Sequence, residues 1–305
     1  MNKNWSSWLY RSAVPLLGCF VAVTPARASA PVCAGTRVTL DTSIGATPVA
    51  RLTVGGRTGH FLLDTGATGN AVDAATFGAT PGTTIARLDF ALPSPATAAF
   101  NAEDMRGYRA PPGGQIGRIG TSILSQRVVA LHYDPAGAFA IIGETPCDPK
   151  GLVAAGVPGT YAARTADLNP ATPNVPAVFV RIGSVQVPAQ IDTGFADQLD
   201  PGLVQINTAM LAALRNSGVK MQRAVGRTTL GCDGSGVNDR WQINTDRLRI
   251  GRSTYKPPLL EVKSDPTCGG IATFPLPWAQ LGASWLNVWG ITVFDGPGER
   301  IWLGR

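Results

Sequence analysis

Alternating hydrophobic and polar residues recur in two separate parts of the chain and predict two similar β-hairpins. The first covers residues 47–63 and the second covers residues 175–191. In each, a turn containing Gly separates two short strands, and the second strand runs directly into Asp-Thr-Gly. Because a period of two residues is typical of a strand with one buried face, the pattern predicts hairpins that end in an Asp-Thr-Gly loop.

The two copies share their internal spacing. Pro48 precedes Asp64 by sixteen residues, and Pro176 precedes Asp192 by the same number. Similar segments also follow each copy, and they predict a glycine-containing strand, a short helical turn and a closing hairpin with an Asp at its bend. These segments are residues 119–124 with 128–143, and residues 281–286 with 290–304. The matching order predicts two duplicated lobes.

The segment between the copies, residues 149–176, is rich in Gly, Ala and Pro, and it predicts a lobe boundary near Gly159. The N-terminal lobe would then comprise residues 29–158 and the C-terminal lobe residues 159–305. One convincing helix is predicted in the second half, capped by Asn207 or Thr208, with an apolar body at 210–214 and an end at Gly218. Elsewhere the pattern indicates strands, so the predicted fold class is mostly β with few short helices.

The first residues are typical of a secretory signal rather than of the fold. Lys3 and Arg11 precede an almost wholly apolar run, and small residues follow it, which predicts cleavage after Ala28 and a signal peptide of residues 1–28. A transmembrane anchor is the alternative, but the run is well short of the ~20 residues that a spanning helix needs. A lipid-attachment site at Cys19 is a further alternative. We therefore expect a periplasmic or secreted protein without a stable membrane span.

Composition adds two constraints. Removal of the signal lowers the formal net charge from +6 to +3, and no Lys/Arg cluster or aromatic ladder indicates nucleic-acid binding. Four cysteines remain, which in an exported protein favours two disulfides. Of the possible pairings we predict Cys33–Cys147 and Cys232–Cys268, because each pair then lies within one half. Without a Cys-x-x-Cys motif and with only two histidines in the chain, a metal site is not indicated, and no cofactor is expected.

The two Asp-Thr-Gly loops are the candidate chemistry. A single such loop is more often a surface turn, but here apolar strands lead into both, at matching places in a repeat. Two carboxyl groups about 3 Å apart share a proton, so that one acts as a base toward water while the other polarises a carbonyl group. Gly66 and Gly194 would let the backbone turn tightly beneath Asp64 and Asp192.

These loops, with the downstream segments 119–124 and 281–286, resemble the pepsin/retropepsin clan of aspartic proteases, and more narrowly bacterial exported aspartyl proteases with two retropepsin-like lobes. The resemblance covers most of residues 45–143 and 174–304. It implies two β-barrel lobes related by pseudo-twofold symmetry. It also implies an aspartic endopeptidase that acts on a protein or peptide substrate, and a monomer, since one chain supplies both loops.

The resemblance also assigns roles to residues of the loops. Asp64 and Asp192 would be catalytic, Thr65 and Thr193 would hydrogen-bond across the pseudo-twofold axis, and Gly120 and Gly282 would lie on the strands behind the loops. The sequence departs from the pattern at several positions, where other residue types are expected. These are Ala67 and Phe195 after the loops, Arg118 and Gln280 before the glycine strands, and Gln190 before Asp192.

The departures lead to two hypotheses. Without a hydroxyl side chain after each Asp-Thr-Gly, the carboxyl pKa values should be higher than in relatives that have one, and the enzyme would work at milder acidity. A bulky Phe195 could instead displace the water, which would leave a non-catalytic peptide-binding module. A structural β protein with two unrelated turns is a third reading, and it leaves the matched loops unexplained.

A protease of this kind also needs a flap that closes over the substrate. We expect it within residues 84–108 and, in the second half, within residues 223–241, with Tyr108 or Trp241 as a flap aromatic. Both aromatics are more often core residues than flap residues. A serine triad is not indicated, because neither His60 nor His132 lies in a recognisable motif.

Overall fold

The computed structural model describes residues 33–106, 114–134, 137–161, 172, 174–195, 200, 202–224, 229–230 and 237–304. The predicted signal peptide lies outside these residues, as do Tyr108 and Cys232. Over the described part the protein is mostly β, with 47% strand, 15% helix and only short helices, which confirms the predicted class.

The strands that the structure describes are numbered in chain order. They are β1 (Thr36–Asp41), β2 (Val49–Val54), β3 (Arg57–Leu63), β4 (Ala71–Asp73), β5 (Thr84–Ala91), β6 (Pro95–Glu103), β7 (Gln115–Ile119), β8 (Val128–Asp134), β9 (Gly137–Gly143), β10 (Gly159–Tyr161), β11 (Ala177–Ile182), β12 (Val185–Asp192), β13 (Val204–Asn207), β14 (Met221–Arg223), β15 (Thr229–Leu230), β16 (Val237–Ile243), β17 (Leu248–Ile250), β18 (Ser253–Thr254), β19 (Leu259–Lys263), β20 (Ala279–Gly282), β21 (Ile291–Asp295) and β22 (Arg300–Leu303).

The described helices are few and short. They are α1 (Ala74–Phe77), α2 (Thr121–Leu124), α3 (Pro149–Ala154), α4 (Thr208–Asn216) and α5 (Ser284–Trp289), with 3₁₀ turns at Pro266–Cys268 and Gly270–Thr273. None of the described helices is long and apolar enough to cross a membrane.

Six strands of the first half close into a barrel. They follow one another in the order β2, β3, β7, β4, β6 and β5, and β5 returns to β2 through the pairing of Phe90 with Val54. The β2–β3 hairpin turns at Gly55 and Gly56, both with positive φ, a conformation that two-residue hairpin turns require and glycine adopts freely. The buried end of β3 is Phe61, Leu62 and Leu63, which carry the chain from the barrel core to Asp64.

The second half forms a sheet in the order β14, β16, β19, β13, β20, β12, β11, β17 and β18, with β15 paired to β16. The closing hairpins of the two halves, β8–β9 and β21–β22, join through antiparallel pairing of β8 with β21. This pairing fixes the second half beside the first. Asp134 and Asp295 stand at the turn ends of these hairpins, as the sequence predicted.

Two further predictions are confirmed. Asn207 caps α4, because its side chain accepts a hydrogen bond from the Met210 backbone N–H at 2.9 Å, and Gly218 follows the helix with a φ of 77°. Cys33 and Cys147 form a disulfide that joins the start of the described chain to the segment after β9. The pairing predicted for Cys232 and Cys268 falls outside the described side chains.

Candidate active site

Asp64 follows directly after β3 and is held by backbone groups. Its N–H donates to the carbonyl of Ile119 on β7, at 2.9 Å, which ties the loop to the barrel. Its carboxyl oxygen Oδ1 accepts hydrogen bonds from the N–H groups of Gly66 at 2.9 Å and Ala67 at 3.1 Å. Asp64 exposes only 7% of its surface, so the structure buries an acidic group at the end of an apolar strand.

Asp192 is held in the same manner in the second half. It is the last residue of β12 and lies opposite Gly282 of β20 in a parallel pairing. Its Oδ1 accepts from the N–H groups of Gly194 at 2.9 Å and Phe195 at 3.2 Å. The Asp192 carboxyl group lies against Gly66 and the Asp64 carboxyl group against Gly194, so each acid reaches the opposite loop. The structure therefore brings together the two acids that lie 128 positions apart in the sequence.

Thr65 and Thr193 lock the two loops together. The Thr65 N–H donates to Oγ1 of Thr193 at 2.9 Å, and the Thr193 N–H donates to Oγ1 of Thr65 at 3.2 Å. Each hydroxyl then donates to a carbonyl of the opposite strand: Thr65 to Ile191 at 2.7 Å, and Thr193 to Leu63 at 2.5 Å. All four bonds are buried, and each bond from one loop has a counterpart from the other. Together they fix the position of one Asp-Thr-Gly loop relative to the other.

Gly66 and Gly194 are required for space rather than for backbone conformation. A Cβ on Gly66 would lie 2.2 Å from Cγ of Asp192, and a Cβ on Gly194 would lie 2.6 Å from Oδ2 of Asp64. The chain bends or turns at both loops as predicted, but neither residue has a positive φ, so the backbone conformation alone does not require glycine there. Each glycine makes room for the carboxyl group of the opposite loop.

This close approach leads to a prediction for Gly66→Ala. Because the new methyl group would occupy the position of the Asp192 carboxyl group, we expect the free energy of unfolding to fall by roughly 1–3 kcal/mol. Denaturant unfolding would measure the change. Gly69→Ala is the matched control, since a Cβ there would meet its nearest neighbour at 3.7 Å. Equal losses in the two variants would contradict the packing argument.

Both carboxyl groups hold their protons more tightly than a free Asp does. Burial is the largest cause for each, and for Asp192 the negative charge of Asp64 adds to it, raising the pKa of Asp192 to about 7. Burial also raises the pKa of Asp64, while the Arg118 guanidinium and the Gly66 and Ala67 N–H groups act in the opposite direction. The pair therefore retains a proton in weakly acid solution.

The raised pKa of Asp192 predicts how stability depends on pH. The folded protein keeps this proton up to about pH 7, whereas an unfolded Asp releases it near its ordinary pKa of 3.8. The folded state thus binds more protons in this window, and its free energy of unfolding should fall as pH rises from about 4 to 7. In the wild-type protein this fall should amount to roughly 1–4 kcal/mol, and in Asp192→Asn it should be largely absent. Denaturant unfolding at about pH 4 and about pH 7 would measure it.

Asp89→Asn is the control for that experiment, because Asp89 is exposed on β5. It should change the pH dependence of stability very little. An Asp192→Asn variant with the same pH dependence as the wild type would show that the buried proton is not on this residue.

Arg118 also belongs to the site, although the sequence indicated it only as a departure from the aspartic protease pattern. It lies on β7 opposite Leu62 of β3, on the strand beside the one that leads into Asp64. Its Nε is 3.9 Å from Oδ2 of Asp64, and its Nη2 donates to Oε1 of Glu103 at 3.0 Å. A charged residue between Gly117 and Ile119, two positions before Gly120, is the signal that could have revealed it.

Gln190 and Gln280, the other polar departures, belong to a row of buried side chains that crosses five neighbouring strands. Gln190 donates to Gln280 at 2.5 Å, Gln280 to Gln205 at 2.8 Å, and Gln205 to Glu261 at 2.7 Å. Arg240 completes the row, donating from Nη2 to Glu261 at 3.0 Å and from Nη1 to Asp200 at 2.5 Å. The first five residues each expose at most 4% of their surface. At these buried positions, hydrogen bonds between side chains take the place of apolar packing.

Ala67 and Phe195 occupy corresponding places. The carbonyl of Ala67 accepts from the Thr121 N–H at 2.8 Å, and the carbonyl of Phe195 accepts from the Ala283 N–H at 2.6 Å. The Phe195 ring lies against Gly282, where a Cβ would come within 2.6 Å of it. The ring therefore packs on the strand that supports its own loop.

The remaining candidates lie away from the pair. His60 contacts Asp41 at 3.7 Å, and His132 stacks on Phe139, so neither histidine is in contact with Asp64 or Asp192. Among the described residues, no group of three or more His, Cys, Asp and Glu side chains is placed to hold a metal ion.

The first predicted flap region proves to be part of the barrel. It contains the β5–β6 hairpin, whose tip is anchored by Leu92, a residue with 2% exposure. Its role as a flap stays a prediction. In the second region, Trp241 lies on β16 beneath the Arg215 guanidinium, 4.7 Å from the ring centroid. Tyr108 is outside the described residues.

No protein-family model matches this chain. A search of curated protein sequences also found no match.

Proposed function

We propose that this protein is an aspartic endopeptidase in which Asp64 and Asp192 together hydrolyse peptide bonds. The observation that carries the proposal is the close approach of two carboxyl groups, each lying against the glycine of the opposite loop and each fixed by two backbone N–H groups. Two carboxyl groups held close together do not both ionise readily, so the pair supplies an acid and a base at once.

The proposed reaction uses a water molecule held between the two carboxyl groups. The ionised carboxylate takes a proton from the water, and the hydroxide oxygen bonds to the carbonyl carbon of the peptide. The protonated carboxyl group gives its proton to the carbonyl oxygen. The carbon–nitrogen bond then breaks as the nitrogen takes the proton that the first carboxylate had accepted. One hydroxyl group of the intermediate returns its proton to the second carboxylate while the carbonyl re-forms, which restores the starting pair.

The wider arrangement is part of the proposal. In each half, the strand that leads into an Asp-Thr-Gly loop pairs in parallel with the strand that leads to Gly120 or Gly282, as β3 with β7 and β12 with β20. This repeated pairing supports two related lobes that meet at a pseudo-twofold axis. We propose that the lobes are of the pepsin/retropepsin type, that the protein is exported and monomeric, and that its substrates are proteins or peptides outside the cytoplasm.

A non-catalytic peptide-binding module is the alternative, and Phe195 is the residue that motivated it. The contact of the Phe195 ring with Gly282 gives the ring a place against its own supporting strand. This contact favours the catalytic proposal, because a ring packed there serves the loop rather than the space between the carboxyl groups.

Cleavage of a peptide library by the purified processed protein, from pH 3 to 8, tests the proposal. Hydrolysis should be fastest in weakly acid solution and should decline as pH rises through about 7, where Asp192 loses its proton. It should also decline in strong acid, where both carboxyl groups are protonated. A folded protein that binds library peptides without cleaving them at any pH would support the binding module instead.

A further inference from the structure

The surroundings of the two carboxyl groups are not equivalent. Both use Oδ1 to accept two backbone N–H groups, so the loops themselves do not distinguish them. The difference lies at the residue two positions before Gly120 in the first half and before Gly282 in the second. In the first half it is Arg118, whose Nε lies 3.9 Å from Oδ2 of Asp64, and in the second half it is Gln280, a neutral amide.

The Arg118 side chain is held in this position by an ion pair with Glu103. Its Nη2 is anchored by the Glu103 carboxylate at the end of β6, at 3.0 Å, and its Nε is buried without a hydrogen-bond partner among the described residues. Only 17% of the side chain is exposed. A buried guanidinium nitrogen beside a carboxylate oxygen favours the charged form of that carboxyl group, because little water is present to screen the attraction.

The charges that act on each acid can be compared. Asp64 has Arg118 on β7 and Asp192 on the opposite loop, with Glu103 offsetting part of the Arg118 charge. Asp192 has Asp64 and, on β19, Lys263, whose influence is smaller than that of the Gly194 hydrogen bond. For Asp64, by contrast, Arg118 is the largest influence that favours ionisation.

We propose that Arg118 is a positioning residue that makes Asp64 the ionised member of the pair and leaves the shared proton on Asp192. Glu103 holds the guanidinium at the distance that this requires. The inference rests on the proposed function for its catalytic meaning: Asp64 would then be the base toward water, and Asp192 the acid toward the carbonyl oxygen. The assignment of the proton, however, can be measured without any substrate.

The test is a titration of the Asp carboxyl groups by ¹³C NMR, with Asp64→Asn and Asp192→Asn used to assign the two signals. Arg118→Met removes the charge and keeps the aliphatic stem, and it should raise the Asp64 pKa by about one unit or more. Arg118→Lys should restore most of the wild-type value. Glu103→Gln should move the Asp64 pKa downward, because it keeps a hydrogen-bond acceptor for Arg118 but removes the negative charge that offsets part of the Arg118 charge.

An electrostatic role of Arg118 predicts opposite shifts of the Asp64 pKa in Arg118→Met and Glu103→Gln. A merely structural role would shift the Asp64 pKa in the same direction in both variants. Arg87→Met, an exposed position on β5, is the control and should leave both titrations unchanged. An unchanged Asp64 titration in Arg118→Met, or a shift confined to Asp192, would overturn the inference. If the predicted shifts occur in a protein that cleaves no peptide, the inference stands and the proposed function fails.

Discussion

Asp64→Asn and Asp192→Asn are each expected to lower kcat/KM for the best library peptide by at least ~10³-fold. An amide can neither take a proton from water nor give one to the carbonyl oxygen in the way a carboxyl group does. Since the two carboxyl groups act through one shared proton, the loss should be similar for either replacement, and the double variant should be little worse than the single ones.

The comparison needs variants that are folded. Denaturant unfolding and circular dichroism should show that both Asn variants keep the wild-type fold, because Asn retains the size of Asp. Asp89→Asn, on the exposed side of β5, should keep full activity. A single Asn variant that retains more than about a tenth of the activity would exclude that residue from the chemistry.

Arg240→Met is expected to cause the largest loss of stability, about 3–5 kcal/mol in the free energy of unfolding. Arg240 exposes 3% of its surface and pairs with Glu261, which exposes 2%. The replacement removes this cation from beside the buried Glu261 carboxylate, and breaking a buried ion pair by removing one partner costs more than the packing that is lost. Denaturant unfolding at pH 7 would measure it.

Arg223→Met provides a matched comparison. Arg223 also pairs with a carboxylate, that of Asp239, and Asp239 lies on the same strand as Arg240, but the Arg223 side chain is 62% exposed. Exposed ion pairs contribute little, so this variant should lose at most about 1 kcal/mol. Similar losses in the two variants would mean that the buried row contributes no more than a surface pair.

Most of the features that the sequence predicted correctly depend on short segments. The Asn207 cap, the Gly218 end of α4 and the two closing hairpins each follow from residues close together in the chain, where turn and capping chemistry is specific. The Cys33–Cys147 disulfide was also predictable, because a repeat with two halves restricts the sensible pairings.

The features that the sequence did not predict depend on strands that meet only in the fold. Gln190 and Gln280 are 90 positions apart, and Gln205 and Glu261 are 56 positions apart, so nothing local indicated that these polar residues satisfy one another. Arg118 likewise gains its meaning only where β7 runs beside β3. The space beside Gly66 is set by Asp192, on the opposite loop.

The most direct test of the shared pair is the binding of a peptide analogue in which a secondary alcohol replaces the cleaved amide. Such a hydroxyl group would take the place of the water between the carboxyl groups and resemble the tetrahedral intermediate. We expect the wild-type protein to bind the alcohol at least ~100-fold more tightly than the matching uncleaved amide, and Asp64→Asn and Asp192→Asn each to abolish this preference. Equal affinity of the wild-type protein for alcohol and amide would contradict the account and leave a protein that binds peptides without acting on them.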